Sequence, residues 1–120
     1  GAWVEQTAGR RLEPGKSDPA HQQWYIDQMS QTPARVVLET LAYLSTQDLS
    51  DILPKIKIPT LILASEQNAK DNPDRTTAFA EKLGNGWLVA IPGTSGYVQH
   101  SAPEECVLAW RQFLGEISGG

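Results

Sequence analysis

Hydrophobic and polar positions along the chain change their period part-way. Residues 1–17, GAWVEQTAGRRLEPGKS, hold no sustained period and are punctuated by Gly9, Pro14 and Gly15. They read as an irregular start, with Trp3 as the anchored residue. Helix signals follow. Asp18-Pro19 is an N-cap followed by proline at the first helical position, where a missing N–H costs nothing. Trp24, Tyr25 and Met29 then form an apolar stripe. Thr32-Pro33 repeats the signal ahead of Val37, Leu41 and Leu44, spaced by four and three. Asp48 reads as the cap of a third short turn, carrying Leu49, Ile52 and Leu53 and ended by Pro54.

From Ile56 the pattern turns continuous. KIKIPTLILAS contains Leu61, Ile62 and Leu63 without polar alternation, as in a strand covered on both faces of a parallel sheet. Asn72-Pro73 predicts a helix with Ala78, Phe79 and Leu83 inward and Gly84 as its stop. Trp87 to Ile91 is a second buried strand, closed by Pro92-Gly93. Ser101 to Glu105 opens a last helix whose apolar face is Cys106, Trp110, Phe113, Leu114 and Ile117. Its acidic first turn suits the helix dipole. The chain therefore divides into an irregular start at 1–17, a helical segment at 18–54 and a strand-helix-strand-helix unit at 55–120. Two parallel strands joined by a helix call for a larger sheet, so this order reads as the edge of one.

Composition narrows the function classes. Hydrophobic residues make up 40% and charged residues 20% of 120 residues, which fits a folded α/β chain and excludes a disordered one. No apolar run is long enough for a membrane span or a signal-peptide core, and the expected compartment is the cytoplasm. Ten basic against fourteen acidic residues give a net charge of −4, against a nucleic-acid partner. A single cysteine, Cys106, excludes an internal disulfide framework, and two histidines argue against a zinc site. No phosphate-loop spacing is present, and no cofactor is expected.

The order of helical pairs, then IKIPTLILASEQN, then WLVAIPGTSGYVQHSAPEE resembles the C-terminal half of the α/β-hydrolase fold. The resemblance runs from about Asp18 to Ile117. It is most specific in DLSDILPKIKIPTLILAS and in the passage from Ile91-Pro92-Gly93 to Pro103-Glu104. It implies that the helices up to Leu53 form a cap and that the rest is the last part of the core. The nearest subgroups are short-cap esterases, lactonases and dehalogenase-like hydrolases. Such enzymes order a nucleophile elbow, an acid and a histidine along the chain. The histidine takes the proton from the nucleophile, and the acid orients the ring. Only the acid and the histidine positions would fall in this chain.

Matched position by position, the family's acid falls on Asn68, an amide that can orient a ring but supplies no negative charge. Glu66 and Asp71 are nearby carboxylates, out of register. The family's histidine falls on Gly96. His100 lies four residues later, a span of ~13 Å if extended, and serves as base only if the loop is rearranged. Gly93-Thr94-Ser95-Gly96-Tyr97 approaches the G-x-S-x-G nucleophile motif, fails it at Tyr97, and reads as a glycine-rich turn. His21 reads as a surface residue and Cys106 as an inert core residue. Trp24, Tyr25 and Met29 fit either a substrate pocket or the core of the cap.

Two functions follow from the resemblance. One is the C-terminal fragment of a hydrolase acting on a small ester, lactone or related compound, inactive alone. The other is a non-catalytic binding or regulatory module of the same fold. Both expect further strands, supplied by a companion chain or by self-association, and a small-molecule substrate for the parent protein. An independently stable small protein that completes its sheet across copies is the third reading.

Overall fold

Proline and capping signals set where the helices begin. In a computed structural model, which describes residues 2–119, Asp18 accepts a hydrogen bond from the Ala20 N–H ahead of a helix at Pro19–Ser30. The next helix spans Ala34–Ser45. It starts after Pro33 with no side-chain cap, one residue later than the Thr32 signal suggests. The Asp48 carboxylate accepts from the Ser50 N–H, and a single 3₁₀ turn covers Leu53–Lys55, with Pro54 inside it rather than ending it. The apolar runs then form two strands, β1 at Thr60–Ser65 and β2 at Gly86–Ile91. They pair in parallel, from Thr60 opposite Gly86 to Ser65 opposite Ile91. Between them lie short α4 at Glu66–Asp71, which the sequence pattern does not announce, and α5 at Pro73–Lys82. After β2 come a one-turn α6 at Val98–Ser101 and the long α7 at Pro103–Gly119. The chain is thus a mixed α/β structure around a two-stranded parallel sheet.

The N-terminus differs from expectation. Residues Ala2–Leu12 form a helix, α1, where the pattern shows no element, with the two later helices becoming α2 (Pro19–Ser30) and α3 (Ala34–Ser45). Its buried residues are Val4, Ala8 and Leu12, a one-face i, i+4, i+8 stripe. The stripe is short and its middle member is alanine, so the period is faint in the sequence. Trp3, the expected anchor, is half exposed and lies under the Arg11 guanidinium, 4.9 Å from the ring centroid.

The core is thin. Ile91, Val98, Ala102 and Cys106 form its centre, with Leu63, Val89 and Ala109 packed against it. Trp87 meets Phe113 edge-to-face at 5.3 Å, fixing α7 on β2. The apolar face expected of α7 is buried only at Cys106 and Phe113, while Trp110, Leu114 and Ile117 stay exposed. No residue of α3 is buried, and Leu38, Leu41, Tyr43 and Leu44 stand in solvent. Accessible surface totals 8453 Å², against roughly 6,400 Å² for a folded monomer of this mass. The radius of gyration, 16.6 Å, exceeds the roughly 14 Å of a packed domain of this length. Helices with apolar faces of this kind are stable in globular proteins when those faces are covered. No helix among the described residues is long and apolar enough to cross a membrane.

Candidate functional site

Loop 92–101, between β2 and α7, gathers most of the polar chemistry of the chain. Thr94 ties it to the sheet. Its hydroxyl donates to the Ile91 carbonyl at 2.6 Å and accepts from the Glu66 N–H at 3.2 Å, while its carbonyl accepts from the Gln67 N–H. The Glu66 carboxylate accepts from the Gly93 N–H at 2.9 Å, and Lys70 pairs with its other oxygen. These two contacts, the Gly93 N–H foremost, lower the Glu66 pKa. The loop thereby closes the carboxyl ends of β1 and β2, the edge at which parallel sheets place their ligands.

A cleft of about 550 Å³ opens there. Ile62, Leu63 and Phe79 give it an apolar wall, and Asn68, Ser95 and Gly96 are among its polar members. Asn68 and Gly96, the positions that the resemblance assigns to an acid and a histidine, therefore share one cleft. The Asn68 side-chain oxygen accepts from the Asn72 amide at 3.1 Å. Asp71 accepts from Gln67 on its own helix. Gly96 sits against the end of α1. A Cβ placed on it would lie 2.4 Å from the Arg11 carbonyl oxygen and 2.8 Å from the Arg11 carbonyl carbon. The adjacent Tyr97 N–H donates to that same oxygen at 2.6 Å. Glycine is required here by close backbone approach, and no histidine fits the position without displacing α1.

His100 lies on α6, outside the cleft lining. Its Nδ1 is 2.7 Å from Nε2 of His21 on α2, with one nitrogen donating and the other accepting. Tyr25 and Tyr97 flank the His100 ring at centroid distances of 6.2 and 6.1 Å, and Trp24 stacks on His21 at 5.6 Å. Burial, with the neighbouring His21 adding to it, lowers the His100 pKa and keeps its ring neutral near pH 7. The ring partner is thus an imidazole, where a catalytic triad has a carboxylate. His21, read from sequence as a surface residue, is half-buried and pairs across 79 positions of chain. No local pattern announces that contact. Trp24 and Tyr25 cover the histidine pair, whereas Met29 lines a separate apolar groove with Trp3, Val37 and Leu41.

Glu13 is the residue that sequence reasoning misses altogether. It follows α1 with φ of 49°, a left-handed conformation uncommon for a side-chain-bearing residue, and is 7% exposed. Its Oε1 accepts from the Ser95 N–H and the Ser95 hydroxyl, both at 2.8 Å, and from Lys16 at 3.1 Å. Lys16 also donates to the Gly93 carbonyl. Burial alone would raise the pKa of this carboxyl. The Ser101 hydroxyl and the Gly96 N–H nearby, together with the Ser95 and Lys16 hydrogen bonds, outweigh it and lower the value to about 2. The only signal in the sequence is an acid placed directly before Pro14, inside a stretch without period.

These pairings decide what the arrangement can do. The Ser95 hydroxyl gives its proton to Glu13, and His100 shares one with His21, so the two groups belong to separate networks. Cys106 is buried, and burial, assisted by Glu105, raises its thiol pKa and leaves it a poor nucleophile. Among the described residues no three His, Cys, Asp or Glu side chains come together to hold a metal. No protein-family model, curated protein or solved structure matches the chain.

Proposed function

We propose that this chain is a non-catalytic, ligand-binding C-terminal portion of an α/β-hydrolase-type protein. The observation that carries the reading is the contact between Gly96 and the Arg11 carbonyl. The position at which a hydrolase of this kind carries its proton-transferring histidine is filled here by another backbone. Asn68, at the acid position, supports the same reading, because its amide cannot hold an imidazolium by charge. What remains is a cleft at the carboxyl edge of a parallel sheet with polar groups converging on it, which is the form of a small-molecule site.

A second reading, a fragment of a hydrolase of a small ester or lactone, draws on one observation. His100 is neutral near pH 7 and half-buried, as a general base must be. Hydrolysis of p-nitrophenyl acetate separates the two. Under the binding reading the chain shows no saturable turnover, and His100→Ala leaves the background rate unchanged. Saturable cleavage that falls by ~100-fold or more in His100→Ala assigns the histidine to catalysis and overturns the first reading.

The same proposal includes further strands beside β1 or β2, from a companion chain or a second copy. Its support is the surplus of exposed apolar surface on α3 and α7 and the two-stranded sheet. Isolated pairs of strands are marginal in water, and open edges invite pairing. Sedimentation velocity over micromolar concentrations is expected to show association. A single monomeric species that also unfolds cooperatively would count against it.

A further inference from the structure

We infer that the cleft at the carboxyl edge of the sheet takes a small organic oxyanion, a carboxylate or phosphate ester with an apolar body. This rests on the reading of the cleft as the binding site and names its ligand class. Arg10, in the last turn of α1, and Arg75, in the first turn of α5, both line it. Neither has an ion-pair partner among the described residues, and no acidic side chain lines the cleft. In a chain of net charge −4, with fourteen acids available, two unneutralised cations facing one concavity form a local field of opposite sign to the whole.

The position of Arg75 carries the argument further. A cation near a helix N-terminus opposes the helix dipole, and Asp74, beside Arg75 in the same turn, offsets part of that effect. The first turn of α5 also lacks a side-chain cap, because Asn72 makes no capping bond. The uncapped N–H groups of that turn can be met by an anion lying beside Arg75. Guanidinium groups bind carboxylate and phosphate through paired N–H donors, which gives the site its preference for planar or tetrahedral oxyanions. Asn68 supplies a polar side chain beside them, while Ile62, Leu63 and Phe79 offer the apolar wall that a bare inorganic ion would leave unused. A volume of about 550 Å³ suits a small metabolite-sized ligand. A phosphate polymer fits poorly, since the acidic remainder of the surface repels it.

Titration of the ¹⁵N-labelled chain with benzoate, phenyl phosphate, inorganic phosphate and uncharged benzamide tests this. Benzoate or phenyl phosphate is expected to shift the Asn68, Ser95 and Gly96 amides saturably, with benzamide weaker by about tenfold or more. The tighter of the two identifies the oxyanion. Arg10→Gln and Arg75→Gln are each expected to weaken the anion about tenfold and leave benzamide unchanged. Added salt is expected to weaken the anion alone. Benzamide binding the same amides as tightly as benzoate would leave a cleft that binds ligand but overturn its anion preference. Inorganic phosphate binding as tightly as phenyl phosphate would overturn the organic body. Saturable shifts confined to amides away from the cleft, or no shift with any of the four at millimolar concentration, would overturn the cleft as the binding site itself. The comparison of benzoate with benzamide needs no variant, so a misfolded arginine mutant leaves the test intact.

Discussion

Replacing Gly96 by alanine, and more so by histidine, is expected to lower the melting temperature by about 10 °C or more, a loss on the order of 3 kcal/mol. The added Cβ meets backbone on the other side, at 2.4 Å from the Arg11 oxygen. Backbone atoms do not step aside as the end of a flexible side chain does. The loop and the end of α1 must separate, at a cost typical of overpacking, roughly 1–3 kcal/mol. Separation also stretches the Tyr97-to-Arg11 hydrogen bond, adding about 1 kcal/mol. That loop holds the C-terminal end of α1 through the Arg11 carbonyl, so this end of the helix is the part expected to detach first. Thermal melts followed by circular dichroism, with proteolysis of the N-terminal segment, measure this directly. Equal stability of Gly96→His and the unaltered chain would show that the close approach is absent in solution. Under the proposed resemblance, the substitution that places a histidine at position 96 is thus expected to disrupt the structure around it.

Acidification is expected to destabilise the fold through Glu13. Its carboxyl titrates near 2 in the folded chain and near 4.5 when exposed. The unfolded state therefore binds the proton more readily as pH falls. The contribution is fully present above about pH 5 and is lost as pH drops from there toward 2. A shift of this size corresponds to roughly 3 kcal/mol, concentrated in one group that joins α1, Lys16 and loop 92–101. Glu13→Gln keeps the shape and an acceptor oxygen but removes the charge. It is expected to lower stability at pH 7 and to flatten the dependence between pH 5 and 3. Urea unfolding at several pH values in both proteins checks it. A variant whose stability falls with acid as steeply as the parent's would place the effect on other carboxylates, among which half-buried Glu66 and exposed Asp48 also have lowered values.

Several parts of this molecule were legible without coordinates. Asp18-Pro19 and Asn72-Pro73 mark helix starts because a cap or a proline acts within one turn of its own position. Leu61 to Leu63 and Leu88 to Ile91 read as strands because both faces of the sheet are apolar, and their parallel pairing follows from a connection long enough to hold helices. Helix α1 escaped because three small or medium apolar residues, one of them Ala8, carry too little periodic signal. The apolar stripe of α7 is wider than its buried face, since amphipathicity states which side of a helix seeks burial and not whether anything lies there to cover it.

Local chemistry, acting over a few residues, determined by itself the two strands, the helices begun by a cap or a proline, and the mixed α/β class, but neither α1 nor α4. The site was decided by tertiary structure. His21 meets His100 across 79 residues, and Glu13 meets Ser95 across 82. Arg10 and Arg75 enter one cleft from two helices. Gly96 is held by a carbonyl from an element with no signal in its pattern. Such contacts depend on how whole elements pack, and a side chain carries no mark in its own neighbourhood of the distant group it will meet.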